Sequence, residues 1–458
     1  MATNDDGNRM FVMGMMSGTS MDGIDCAIVE FAKLEGRAVD DEVDDVRGSK
    51  WLPLARPPAP LSPLGASHVR LVAYSETPYA AETLQALRGL VEGGAQRALE
   101  VVGAVCRANA AVGEAFARAA VELLAAVNED TGSRVALVAS HGQTIFHYPE
   151  RVDQVDELAD AVSTLQIGEP ARIAVATGLP VIADFRQADM AVGGAGAPLI
   201  PFVDAVLFRD VEGLEARVLV NLGGIANVSL VSPRSADLLL AYDTGPANML
   251  VDELVRAAEL GVCDEGGAIA ACGTPSSEAV DAVLAAEPFF AAAPPKATGR
   301  ELFGAAFLNE VLKPAFERAT GCDAESANVV ADLVATATLL SARSLVQSVA
   351  AASRDVPGFA AGGPVLRLIC SGGGVHNASL MSMIASEAAA ELGSIGWAAV
   401  HVDDVSQHTG CADFASAKEA IGFAILGYAS LHLLPSNVPS ATGARRPAIL
   451  GTMTYPPP

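Results

Sequence analysis

The residues best suited to chemistry in this chain come early. Gly14-Met15-Met16-Ser17-Gly18-Thr19-Ser20-Met21-Asp22-Gly23-Ile24-Asp25 sets glycines, hydroxyls and carboxylates in one short turn. Glycine lets backbone N–H groups come close to a ligand, and successive N–H groups in a tight turn form a nest for an anion. Ser17, Thr19 and Ser20 add hydroxyl donors, and Asp22 and Asp25 are suited to hold a magnesium ion or its waters. The chemistry is that of gripping nucleotide phosphates. No Gly-Lys-Ser/Thr follows, so the turn is not a Walker loop. In isolation the same residues also describe a plain Gly/Ser turn joining two core strands.

Two further glycine-rich turns follow: Asn221-Leu222-Gly223-Gly224-Ile225-Ala226-Asn227 and Ser371-Gly372-Gly373-Gly374-Val375-His376-Asn377. Each is expected at the end of an apolar strand, where α/β proteins collect their ligands. The first two turns are expected to clamp phosphates from opposite sides of a cleft. The third suits an adenosine, because a backbone without side chains admits a flat base. Asp243, in Asp243-Thr244-Gly245-Pro246, adds a carboxylate at a strand end. Asp184 is the candidate catalytic base: it ends the apolar run Gly178–Ala183, lies two residues before Arg186 and precedes Gly193-Gly194-Ala195-Gly196-Ala197-Pro198. A kinase needs one carboxylate near the acceptor oxygen to take its proton, and positioning does most of the rest. The competing reading of Asp184 is a helix cap or an ion pair with Arg186. His141 has no further ligand at metal spacing and reads first as a hydrogen-bonded structural histidine. Lys296 and Arg300 flank a turn suited to an anion, and Glu419 reads as a charge near the start of an amphipathic helix.

These residues need a scaffold, and the pattern around them supplies one. Apolar spacing over 83–127 is helical. Residues 134–139 read as a buried strand delivering Ser140-His141-Gly142-Gln143-Thr144 at its end. The strand 216–220, its glycine turn and the return strand 228–231 mirror the opening hairpin. An internally duplicated α/β protein is therefore expected. At 458 residues the chain exceeds one ordinary core, and the expected domains are 1–205 and 206–458, with the last residues allowed to pack back on the first domain. Residues 33–66, a charge run followed by prolines, read as an insertion. The balance of 29 basic against 54 acidic residues gives a net charge of −25, which disfavours nucleic acid and anionic membranes as partners. No apolar run reaches the roughly 18 residues of a membrane span. The acidic start Met1–Asp6 lacks the features of a signal peptide, and the 7 cysteines are scattered without a C-x-x-C pair. A cytoplasmic, reducing location is expected.

At this point the chain resembles a family. Met16 to Asp25, Ser140 to Thr144, Asp184-Phe185-Arg186 with Gly193 to Pro198, Asn221 to Asn227, Asp243 to Pro246, Pro295 to Glu301, Gly372 to Gly374 and Lys418-Glu419-Ala420 match, in order, the motifs of the anhydro-N-acetylmuramic acid kinases. The resemblance spans about residues 11–453. It implies two duplicated actin-like (ribonuclease H-like) ATPase domains flanking a central cleft, and a homodimer is a family-level expectation. It also implies an ATP- and Mg2+-dependent reaction on 1,6-anhydro-N-acetylmuramic acid. Water opens the anhydro bridge at C1 while O6 is phosphorylated, giving N-acetylmuramic acid 6-phosphate and ADP in cell-wall recycling. Carried onto this chain, the resemblance makes Asp184 the base that activates water. Gly18, Thr19, Ser20, Met21, Asp22, Gly23, Ile24 and Asp25 bind nucleotide together with Asn221, Gly223, Gly224, Gly372, Gly373 and Gly374. Asp22 contacts the metal, and Thr19, His141, Gln143, Asp184, Arg186 and Glu419 meet the sugar. Levoglucosan, 1,6-anhydroglucose, is the alternative sugar, since the groups that meet the C2 and C3 substituents are not readable. A nucleotide-gated binding module or a sugar-sensing regulator on the same fold would need an added peptide-binding or DNA-binding module, and none is read here.

Overall fold

The computed structural model describes the chain except for residues 1–8, 19–20, 22, 33–51, 54–67, 93–97, 129–130, 133, 149–161, 211–214, 232–239, 295, 356–358 and 360–364. Thr19, Ser20 and Asp22 thus lie outside the described residues, as does nearly all of the expected 33–66 insertion. The chain divides into two compact units: Met1–Leu207 with Thr409–Pro458, and Phe208–His408.

In the first unit, β1 (Arg9–Ser17) runs antiparallel to β2 (Ile24–Ala32). Strand β2 pairs antiparallel with β4 (His68–Thr77), and the short β3 (Leu52–Pro53) adds to the edge. On its other side β1 takes β5 (Val135–Tyr148) in parallel, and β5 takes β7 (Val181–Ala183) in parallel. Strand β6 (Ser163–Ile167) folds back on β5, and β13 (Thr452–Thr454) closes the edge beside β7. Parallel neighbours need a helical crossover, and helices Ala81–Glu92 and Ala98–Ala126 lead from β4 to β5. Alternate residues of β1, Phe11, Met13 and Met15, join Val112, Phe116 and Leu123 of the second helix in one core, as the two-residue period of a strand requires.

The second unit repeats this plan. Strands β8 (Glu215–Leu222), β9 (Ile225–Val231) and β10 (Leu240–Pro246) form an antiparallel meander. Strand β11 (Val365–Ser371) is parallel to β8, and β12 (Ala399–Asp404) is parallel to β11. The meander-plus-two-parallel order, β4-β2-β1-β5-β7 and β10-β9-β8-β11-β12, occurs once in each unit. The fold is thus two duplicated actin-like α/β domains, as the hairpin symmetry of the sequence predicts.

Three expectations need correction. Residues 409–458 do not belong to the second unit. Helix Phe414–Leu431 lies on the face of the first sheet opposite the Phe11–Met13–Met15 core, so closely that a Cβ on Gly14 would come 1.8 Å from the Ala420 carbonyl oxygen, and one on Gly427 would come 2.4 Å from the Ala139 side chain. That helix is buried on nearly every side, so it is not amphipathic. Finally, Ser140 to Thr144 lie within β5 rather than past its end, because Gly142, at φ 73°, lets the strand bend and continue against β6. Among the described residues one helix, 327–355, is long and apolar enough to cross a membrane by length and composition, but 78% of its apolar 18-residue window is buried inside the protein. Its Leu345, Val346 and Val349 pack on the core face of the second sheet.

Candidate functional site

In the first unit the β1–β2 turn is anchored from below. The Met21 N–H donates to the Gly18 carbonyl at 3.1 Å, with Met21 at a left-handed φ of 56°. Gln143, buried in β5, donates through Nε2 to the same carbonyl at 3.2 Å and accepts from Ser17 Oγ at 2.8 Å and Tyr79 Oη at 3.3 Å. One buried amide therefore fixes the turn to the next strand. Met21 and Ile24 are core residues, and Asp25 accepts from Tyr74 Oη at 2.6 Å.

The middle of β5 and the ends of β6 and β7 surround a polar pocket of about 160 Å³, lined among others by Asn109, Ser140, His141, Gln166, Glu169 and Asp184. Asp184 follows β7 directly and holds a left-handed φ of 59°, a conformation that costs energy in a residue with a Cβ and that concentrates at functional sites. It caps no helix: the neighbouring helix Gln187–Ala191 starts after Arg186. Nor does it pair with Arg186 among the described residues. Its carboxyl is pushed up, chiefly by burial and then by the charge of Glu169. Glu169 in turn is pinned. Its Oε2 accepts from Asn109 Nδ2 and its Oε1 from the Ala171 N–H, both at 3.2 Å, capping helix Pro170–Thr177.

His141 is fully buried, accepting from Arg186 Nε at Nε2 (3.1 Å), with Nδ1 3.0 Å from the Gly142 carbonyl. The guanidinium can only donate, so the bonds assign the proton to Nδ1. Burial, and then the Arg186 charge, hold the imidazole well below its usual pKa, so it is neutral. Phe423 lies against its ring. Arg186 also donates to the Gly196 carbonyl at 2.8 Å, and its pKa falls to about 10 by burial while Glu419 opposes the fall. It remains charged at neutral pH. The structure thus brings His141, Asp184, Arg186 and Glu419 into one neighbourhood of the first unit. Asp189, which the sequence reading passed over, organises the adjoining loop: it is buried and accepts from the Gly196 N–H, Asn437 and Thr442. A Cβ on Gly194 would come 2.1 Å from its carboxylate. The signal that could have found Glu169 is an acidic residue directly before Pro170, an N-cap followed by proline.

In the second unit the two glycine turns meet each other. A Cβ on Gly372, at φ 84°, would come 2.7 Å from Asn221 Oδ1, and one on Gly374 would come 2.6 Å from Leu222 Cβ. Gly373 faces open space. The carbonyls of Gly223 and Gly224 accept from the N–H groups of Ala247, Asn248 and Met249, and Asn248 Nδ2 adds a bond to Gly223 at 3.0 Å. Asp243 lies within β10 and accepts from the Thr298 N–H at 2.8 Å; burial raises its pKa to about 6. Lys296 is engaged with the carbonyls of Phe289 and Phe290, which argues against its expected anion contact.

A larger cavity in this unit, about 500 Å³, is lined by Asp210, Glu215, Arg217, Arg367, Asp403, Gln407 and His408. Arg367 is bonded to Glu215 at 2.7 Å and to Asp403, and Arg217 to Glu215 at 3.2 Å and the Phe208 carbonyl at 3.0 Å. The charges of Arg217, Arg367, Glu215 and Asp403 are thus satisfied by one another. We place the site in the smaller pocket for that reason.

The anhydro-N-acetylmuramic acid kinase family model matches residues 60–456. An anhydro-N-acetylmuramic acid kinase of Salinibacter ruber is 35% identical over 452 residues, covering 98% of each chain. One from Bacillus cereus strain Q1 is 34% identical over 455 residues, covering 98% of this chain and all of the other. Among solved structures, a ROK hexokinase from Thermus thermophilus aligns with 92% of this chain and 99% of its own at a TM-score of 0.35 and 13% identity, too remote to bear on the site. The chain belongs to the anhydro-N-acetylmuramic acid kinase family.

Proposed function

We propose that this protein is a cytoplasmic kinase that uses ATP and water to convert 1,6-anhydro-N-acetylmuramic acid into N-acetylmuramic acid 6-phosphate and ADP. The observation that carries the reading is Asp184: a strained, solvent-exposed carboxylate with no hydrogen bond or ion pair among the described residues, lining a polar pocket. In the reaction its carboxylate takes one proton from a water molecule. The water oxygen bonds to C1, the C1–O6 bond breaks, and O6 takes the γ-phosphoryl group as ADP leaves. Coupling ring opening to capture of O6 avoids a free alkoxide, and holding the partners in line supplies much of the acceleration. Arg186, kept charged and aimed by neutral His141, is the positive group for the sugar, with Glu419 near it. Gln143 acts by holding the Gly18 turn.

Nucleotide contact falls to Gly18–Asp25 in the first unit and to Asn221, Gly223, Gly224 and Gly372–Gly374 in the second. Magnesium carried by ATP takes most of its ligands from phosphate and water, and it would neutralise phosphate charge. Asp22 is its expected protein ligand; Asp25 fits less well, since it is bonded to Tyr74. The names of the relatives favour the anhydro-muramic sugar over levoglucosan. The test is a coupled ADP-release assay with both sugars side by side. Release dependent on the anhydro-muramic sugar is expected; activity on neither sugar by folded protein would overturn the reading.

A further inference from the structure

The polar wall of the first unit's pocket divides into groups already bonded and groups that are not. Asn109 and Glu169 bond each other, His141 is held by Arg186, and Gln166 donates to Thr144 and Thr164. The Asp184 carboxylate has no such partner. Nor has the hydroxyl of Ser140, which is buried with no hydrogen-bond partner among the described residues, the residue being only 1% exposed. Ser140 is also rigidly placed. It stands opposite Met15 of β1, and one step earlier on β5 Ala139 pairs with Ile182 of β7. Continuing that parallel register sets Ser140 beside Ala183, the residue before Asp184. A buried hydroxyl left without a partner is destabilising, and alanine fills almost the same volume in a strand. Nothing in the packing explains the serine.

We propose that Ser140 is a further substrate-contacting residue: its hydroxyl hydrogen-bonds a ligand hydroxyl group held in this pocket beside Asp184. The proposal rests on the anhydro-sugar reading above. Two sources share that chemistry. If the group is the attacking water, Ser140 Oγ accepts a hydrogen bond from the O–H whose proton Asp184 does not take, and a lone pair is turned toward C1. If it is a sugar hydroxyl, Ser140 orients the ring instead.

The test uses the full chain and the Ser140→Ala variant, with anhydro-N-acetylmuramic acid and ATP as probes. The expected melting temperature is equal to or above that of the wild type, because an unpaired polar group is removed, while turnover falls about 10- to 100-fold, the scale of a lost orienting contact. Lost turnover with unchanged sugar affinity by calorimetry identifies the water; weakened sugar affinity identifies a sugar hydroxyl. Turnover and affinity both within twofold of wild type overturn the proposal, whatever the melting temperature does. Should the alanine variant not fold, Ser140→Cys, similar in size and a poor donor, is expected to show the same loss. A crystal structure without sugar gives a readout independent of activity. An ordered water within about 3.2 Å of Ser140 Oγ is expected, and a Ser140 hydroxyl bonded to a protein group overturns the proposal even if the enzyme proves silent on this sugar.

Discussion

The two cavities differ in a way that volume does not reveal. The one in the second unit is about 500 Å³ and densely charged, yet Arg367, Glu215, Arg217 and Asp403 bond one another. The one in the first unit is about 160 Å³, and it keeps a carboxylate and a hydroxyl unengaged while its remaining polar groups serve as scaffold. A charge network closed on itself contributes to stability and specific geometry. A pocket with unsatisfied groups has chemistry left for a ligand. The duplicated hairpins sharpen the point. Gln143 holds the Gly18 carbonyl in one unit and Asn248 holds the Gly223 carbonyl in the other, so both turns are anchored by a carboxamide. Only the first, however, stands in the same unit as Asp184.

Asp184→Asn should have the largest effect on the active pocket. Removing a general base lowers turnover by about 10²- to 10⁴-fold, with ATP affinity by calorimetry unchanged. A near-normal rate would end the base assignment. Arg367→Ala should do the reverse. It breaks a partly buried charge network, so a loss of about 1–3 kcal/mol in denaturant unfolding is expected, with kcat and KM of the folded variant unchanged. A catalytic defect without a stability loss would mean the larger cavity had been misjudged.

The smallest and finest test is acid. Asp184 has a raised pKa, so turnover should fall, as pH drops, on a limb lying above the ordinary carboxylate range. Glu215 is depressed from 4.5 to about 2, first by its hydrogen bond to Arg367. Its stabilisation is therefore present above about pH 4.5 and is lost as pH falls toward 2. Activity should disappear at a higher pH than the fold does, measured by a kcat–pH profile beside circular dichroism. Coincident loss would remove the distinction between the two cavities.

Much of this was legible in the sequence, and the remainder had physical reasons for being hidden. The glycine turns were readable because a polar, glycine-rich turn between apolar strands is a local pattern. Asp184 was readable because it ends an apolar run. The return of helix Phe414–Leu431 to the first unit was not, because it depends on Gly14 meeting Ala420 and Gly427 meeting Ala139 across hundreds of residues. The buried role of Asp189 depends likewise on Asn437 and Thr442. The unengaged hydroxyl of Ser140 could not be foreseen either, since hydrogen-bond satisfaction belongs to the folded chain and not to a motif.

The most direct test of the central claim is to run the reaction in 18O-labelled water and analyse the sugar product by mass spectrometry and NMR. Water attack at C1 predicts one 18O atom in the C1 hydroxyl, with unlabelled phosphate on O6. A product without label at C1, or label found only in inorganic phosphate released from ATP, would contradict it.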